Sequence, residues 1–417
     1  MLASLLLLLV ALLGAPLFAI IAASAMLGFQ RADIDLSIVA IEFFGLAETP
    51  ILVAIPLFTF AGFLLSHSRS PQRLVRLSQA LLGWLPGGLA IVCLIVCALF
   101  TAFTGASGVT IIALGALFYP ALREARYEDR FSLGLITTSG SLGLLFAPSL
   151  PLILYGVVAG ASIDDLFLAG LLPGLLLVVV LAAYSYWQNR TLRQPWTSSS
   201  AAELRAALRE SKFELPLPIV VLGGIYSGYF AVSEAAAVTV VYVFVVEVLL
   251  LREIPWPALP AIMRESMVLV GAIFMILGVS LASTNYMIDI GVPERLFAFV
   301  GDYIGGQASF LLALIVFLLM LGAVLDIFSA LVLVVPLITP VAAGYGIDPI
   351  HLGILFLATM ELGYLTPPVG LNLFISSFRF ERSIISVYRS TLPFFFVLLC
   401  AVFLLAYVPW LSLVLIR

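Results

Sequence analysis

Apolar runs long enough to cross a bilayer follow one another along almost the whole chain, separated by short polar stretches. A membrane helix needs ~20 such residues, and the pattern predicts crossings at 3–25, 50–66, 166–187, 215–231, 235–250, 266–289 and 391–413. Two runs differ in kind: residues 77–122 carry no charge at all, and the stretch from Tyr303 to Ile347 is interrupted only by Asp326. Two more, about 131–160 and 350–376, are interrupted by proline, as F-A-P-S-L-P-L-I-L-Y at 146–155 and E-L-G-Y-L-T-P-P-V-G-L-N at 361–372. Proline lacks the backbone donor and clashes with the preceding turn, so each run predicts a helix broken in mid-membrane.

Charge counting cannot tell whether the uncharged stretches are pairs of full spans or re-entrant hairpins, since both return to the face they left. Length favours hairpins. The second arms, Ser107–Pro120 and Ile327–Pro336, cover roughly 20 and 14 Å at about 1.5 Å per residue, short of a ~30 Å core. A shift of 219–220 residues brings Pro120 onto Pro340, Gly134 onto Gly353, Pro148 onto Pro367 and Pro173 onto Pro393. The expected fold is therefore an all-α polytopic membrane protein with two inverted repeats, each holding a re-entrant helical hairpin and a proline-broken helix. Its parts are helices in 1–83, the first repeat in 84–188, a linker at 189–214, helices in 215–302 and the second repeat in 303–417. Broken helices in matching halves point to a transporter with its site at the repeat interface.

Composition agrees: 63% of the 417 residues are hydrophobic and 10% charged, with mean hydropathy +1.22, against roughly 25% charged in soluble chains. Residues 2–29 lack a basic n-region, which favours a first span over a signal peptide, although Leu17-Phe18-Ala19 resembles a cleavage site. Sixteen of the 19 basic residues fall on one side of this topology; Arg31, Arg295 and Arg417 fall on the other. Basic residues collect in cytoplasmic loops, so the amino terminus is expected inside and the carboxyl terminus outside. In the linker, Ser200 and Glu203 form a capping-box pattern, with Ala201, Leu204 and Leu208 on one face. That suggests an interfacial amphipathic helix, with a solvated loop as the alternative.

Asp326 is the single carboxylate of the second uncharged stretch; such a charge marks an ion or substrate path, and it also suits the N-cap of a hairpin arm. Thr104, Ser107, Ser149, Thr366 and Asn372 fall at the same expected depth beside Gly105, Gly108, Gly322 and Gly370. These are oxygen donors of the kind sodium requires. No Lys or Arg lies in either hairpin stretch or either break, so a carboxylate would meet half-helix N-termini. Pro148 and Pro368 suit the first turn of the second half-helices. The candidate substrate contacts are thus Pro148, Ser149, Pro368 and Asn372. Glu234 and Glu361 read equally as functional or as packing-satisfied. Cys93, Cys97 and Cys400 lie in apolar runs, and His67 and His351 are isolated. Neither a metal set, a catalytic pair nor a nucleic-acid surface is visible, and the reading is not an enzyme.

Several short motifs occur in a telling order: P-L-F-T-F-A-G at 56–62, L-P-G-G-L at 85–89, G-A-S at 105–107, P-S-L-P at 148–151, F-L-A-G-L-L-P-G at 167–174, G-G-I-Y-S-G at 223–228, S-E-A-A-A at 233–237, I-D-P-I-H-L-G at 347–353 and E-L-G-Y-L-T-P-P-V-G-L-N-L-F at 361–374. Together they resemble the large membrane subunit of tripartite ATP-independent periplasmic (TRAP) transporters. The resemblance implies a sodium-driven importer of organic acids, such as C4-dicarboxylates or sialic acid, in a bacterial inner membrane. It implies two partners, a small four-helix membrane subunit and a periplasmic substrate-binding protein, and an elevator motion of hairpins and broken helices against a scaffold. Carried over by motif, the sodium candidates are Gly105, Ser107, Gly322, Asp326, Thr366, Pro367 and Gly370, with Thr104 beside them. No organic cofactor is implied; sodium is the coupling ion. Ala106, Ala147 and Thr359 depart from the residues usual in the family and leave the ion ligands open. A stand-alone divalent-anion/sodium symporter, which shares inverted repeats and hairpins, is the alternative.

Overall fold

A computed structural model describes residues 7, 9–10, 13–82, 85, 87–190 and 201–417. All the regular structure among them is helical. Helices α1 (Leu17–Arg31), α2 (Ser37–Gly45), α3 (Ala54–His67) and α4 (Ser70–Leu82) come first. The first uncharged stretch folds as α5 (Gly88–Thr104) and α6 (Ser107–Glu124), and the first broken helix as α7 (Asp129–Ser139) and α8 (Leu150–Ala159), followed by α9 (Ile163–Asn189). Then come α10 (Ala201–Glu210), α11 (Pro216–Tyr226), α12 (Val232–Phe244), α13 (Leu259–Asp289) and α14 (Val292–Tyr303). The second half repeats the earlier order with α15 (Gln307–Gly322), α16 (Ile327–Gly344), α17 (Pro349–Gly363), α18 (Leu371–Arg379) and α19 (Ile384–Tyr407), before a last turn, α20 (Trp410–Leu413). Six helical segments among the described residues are long and apolar enough to cross a bilayer, and two bent pairs raise this to eight.

Several expected boundaries move. Residues 7, 9 and 10 are helical and a turn follows at Leu13-Gly14, so the first run is divided, and α1 takes over from Leu17 to Arg31. The run at 215–231 forms only the 11-residue α11. The second hairpin arms are not cut at their prolines: α6 and α16 are each 18 residues, with Pro120, Pro336 and Pro340 inside them. A helical proline forfeits one donor, and in a membrane bundle neighbouring groups offset that loss. At about 27 Å each, these arms nearly match the hydrocarbon core, so the length argument for short arms fails.

The helices pack in two groups. Helices α1, α2 and α3 gather around the long α13, and α12 packs on α3. The others interleave the two halves of the chain: α6 packs on α18, α16 on α8, and α7 and α9 on α19. The groups touch where α3 meets α5 and α13 meets α16. At Gly62 of α3 an added Cβ would lie 2.6 Å from the Phe103 carbonyl oxygen, so the first hairpin leans directly on this helix.

The linker helix α10 is real, but its buried face is not the expected one. Ala207 is fully buried and joins Leu204 against Leu77 and Ala80 of α4, whereas Leu208 is exposed. Arg76 of α4 bonds Glu203 at 2.9 Å and also Glu210. Ser200 lies outside the described residues. Deeper at the same end, Arg73 is shared by Glu214, Glu253 and Glu247, all largely buried, so one guanidinium joins α4 to three later segments.

Candidate functional site

The two hairpin turns and the second helix break meet around one cavity of about 380 Å³. Gly105, Ala106 and Ser107 bring the first turn to it; Asp326, Ile327 and Phe328 bring the second; Tyr364, Leu371 and Ile375 come from the second broken helix. The far wall is Phe63 of α3 with Leu269, Ala272, Ile273 and Ile276 of α13. These α13 residues recur at i, i+3, i+4 and i+7, one face of a helix.

The first turn is two residues long. Gly105 ends α5 with φ +65°, and a Cβ there would sit 2.5 Å from Leu150, so both the backbone and the space require glycine. Helix α6 then starts without a side-chain cap. The N–H groups of Ser107, Gly108 and Val109 find no acceptor among the described residues; the first bond of the helix runs from Thr110 N–H to the Ala106 carbonyl at 3.4 Å. Ser107 is 4% exposed and its hydroxyl makes no hydrogen bond to any described residue.

The second turn is closed by its own side chains. Asp326 Oδ1 accepts from the N–H groups of Phe328 and Ser329, each at 3.0 Å, and Oδ2 accepts from the Ser329 hydroxyl. The remaining first-turn donor, Ile327 N–H, bonds the Tyr364 hydroxyl at 2.6 Å. Asp326 is thus the N-cap that the sequence allowed, and it also faces the cavity.

The second break runs from Tyr364 to Gly370 and is held by that turn. Val369 and Gly370 each donate to the Ala323 carbonyl at 3.1 Å, in place of bonds within a helix. Behind it, α15 and α17 approach so closely that a Cβ on Gly363 would lie 2.6 Å from Gly322 Cα. Pro367–Pro368 and Ala147–Pro148 are cis. Neither Pro148 nor Pro368 occupies the first turn of a half-helix as expected. Helix α8 starts at Leu150 with Pro151 in that turn, and α18 starts at Leu371 after Gly370. The chain spends those prolines on the non-helical crossing itself. Helix α18 has no side-chain cap, and the N–H groups of Leu371, Asn372 and Leu373 have no acceptor among the described residues.

Of the sodium and substrate candidates, Gly105, Ser107 and Asp326 line the cavity. The others do not line it. Gly322 packs on Gly363, the Thr366 hydroxyl donates to the Gly363 carbonyl at 2.6 Å, and Pro367 and Gly370 belong to the crossing. Asn372 is fully buried and ties the breaks together, its amide nitrogen lying 3.3 Å from both the Thr137 carbonyl and the Ser141 hydroxyl. Thr104 Oγ1, Thr138 Oγ1, Ser149 Oγ, Asn372 Oδ1 and both carboxylate oxygens of Glu361 are buried with no hydrogen-bond partner among the described residues. Buried oxygens at tips and breaks are a donor set that fits a hard cation. Glu234, by contrast, accepts from Ala231 N–H at 3.0 Å and serves as a helix-start residue. His351 bonds Ser412 Oγ at 2.7 Å.

Sequence reading passed over two participants. Tyr364 lay inside a quoted motif, but its bond to Ile327 spans 37 positions. The α13 stripe gives no signal in the sequence, because residues 267–279 are apolar throughout and no face stands out.

Broken helices and paired hairpins around a membrane cavity define a secondary-transporter type of protein. The family profile described as "Tripartite ATP-independent periplasmic transporter, DctM component" matches residues 2–411. The C4-dicarboxylate TRAP transporter large permease protein DctM of Rhodobacter capsulatus is 32% identical, over 93% of this chain and 91% of its own. The ectoine TRAP transporter large permease protein TeaC of Halomonas elongata is 31% identical, over 87% and 85%. The chain belongs to the TRAP transporter large permease family, and its relatives are permeases, not enzymes. The solved structure of the Alcanivorax borkumensis YdaH transporter shares the fold alone, with TM-score 0.55 and 15% identity over 89% of this chain and 87% of that one.

Proposed function

We propose that this large permease subunit imports an organic acid across the bacterial inner membrane by sodium symport, with a small four-helix membrane subunit and a periplasmic substrate-binding protein as partners. Relatives at about 31–32% identity are named for C4-dicarboxylates, ectoine and, in a fused protein of Oleidesulfovibrio alaskensis, isethionate. The observation that carries the reading is the cavity between the two hairpin turns, where unacceptored helix N-termini, an N-cap aspartate and buried unpartnered oxygens gather. Helix N-termini favour anions, and the oxygen set favours sodium. In this reading the hairpins and broken helices move as an elevator, the two inverted repeats forming a carrier against α3 and α13, with the amino terminus cytoplasmic and the carboxyl terminus periplasmic.

The test is uptake in proteoliposomes holding this chain, its small subunit and a cognate binding protein. Uptake is expected only with all three and an inward sodium gradient. Uptake by this chain alone, with sodium, would support the stand-alone symporter instead. Proton-driven uptake without any sodium effect would overturn both.

A further inference from the structure

Taking the cavity as the substrate site, as proposed above, we infer that it selects acids carrying one carboxylate on an apolar or zwitterionic body and discriminates against dicarboxylates. Its positive end consists of two helix N-termini. Helices α6 and α18 both begin at the cavity without a side-chain cap, leaving the N–H groups of Ser107–Val109 and Leu371–Leu373 free to face an anion. Ser107 adds a second kind of donor: the residue is 4% exposed, lines the cavity, and its hydroxyl has no partner among the described residues. Each N-terminus acts as roughly half a positive charge, so the pair balances about one carboxylate.

A second carboxylate finds no equivalent place. The third N-terminus at the cavity, that of α16, is already consumed, since Asp326 and Tyr364 take all three of its first-turn donors. An anionic group brought there meets the carboxylate of Asp326. The opposite wall presents Phe63, Leu269, Ile273 and Ile276, none with a polar side-chain atom, and no Lys or Arg lines the cavity. Pressing an unpaired carboxylate against such a wall removes its hydration with nothing to replace it, which strongly disfavours the charged form there. A cation on the substrate, by contrast, gains from Asp326. At about 380 Å³ the space suits a small molecule.

The test uses a matched pair of ligands on the complex of this chain with its small subunit in nanodiscs, free of binding protein. Monomethyl succinate and succinate share a body and differ in one charge; proline serves as a compact zwitterion. Thermal stabilisation is read against ligand concentration, with and without sodium. The expected result is half-maximal stabilisation by monomethyl succinate or proline at a concentration about tenfold or more below that of succinate. Equal or tighter response to succinate, sodium-dependent and abolished by Ser107→Phe, would overturn the single-carboxylate inference while leaving the cavity as the site. No response to any of the three, or responses untouched by Ser107→Phe in a folded variant, would overturn the cavity assignment itself. Introducing a base in the apolar wall with Ala272→Arg is expected to shift preference toward succinate; no shift in a folded variant counts against the inference.

Discussion

At the first hairpin turn the chain reverses in two residues and leaves the start of α6 uncapped; at the second, Asp326 and Tyr364 occupy every first-turn donor of α16. Both turns follow uncharged apolar helices, and both face the same cavity. The difference lies in who supplies the hydrogen bonds. The first turn leaves its donors for something outside the protein, while the second spends them on its own aspartate and on the tyrosine of the neighbouring broken helix. The second turn is also anchored through Ala323, whose carbonyl takes two donors from the crossing at Val369 and Gly370. The comparison separates an open end, suited to an anion, from a self-contained one that contributes charge but no free donors.

The largest expected effect comes from closing the open turn sterically. Gly105→Val combines left-handed backbone, about 1–2 kcal/mol, with a clash against Leu150, about 1–3 kcal/mol. A loss of roughly 2–5 kcal/mol should appear as a lower melting temperature and poor recovery in size-exclusion chromatography. A mild phenotype would mean that the turn is looser than its geometry. Next comes Tyr364→Phe, which strands the buried Ile327 N–H and should cost about 1–3 kcal/mol without removing any group from the open turn. Asp326→Ala removes a cap worth about 1 kcal/mol, and Asp326→Asn, a good cap without the charge, should restore the stability. If Asp326 also serves sodium, neither variant recovers sodium-dependent uptake. The smallest change in stability belongs to Ser107→Ala, within about 0.5 kcal/mol because its hydroxyl bonds none of the described residues. The same variant should still weaken ligand-induced stabilisation. If it melts earlier but binds normally, the two turns are more alike than their hydrogen bonds indicate.

Much of the fold was legible from the residues. Proline and glycine at 147–151 and 366–370 marked both breaks because these residues act locally, through one missing donor and one clash. The uncharged stretches marked both hairpins, and Asp326 stood out as the lone carboxylate between apolar arms. The prolines at 120 and 336 misled as arm ends, since the surrounding bundle keeps α6 and α16 helical through them. The linker showed the same limit. Its amphipathic pattern was correct, but the partner helix α4 chose Ala207 over Leu208 for burial.

By itself the sequence determined where this chain breaks and where its hairpins turn, because those events depend on proline, glycine and charge within a few residues. Only the tertiary structure decided which turn is open and which is closed. That distinction rests on Tyr364 reaching Ile327, on the crossing reaching Ala323, and on α6 and α18 beginning at one cavity opposite α13. These contacts join segments tens to hundreds of residues apart, and no local pattern encodes which distant donor meets which acceptor.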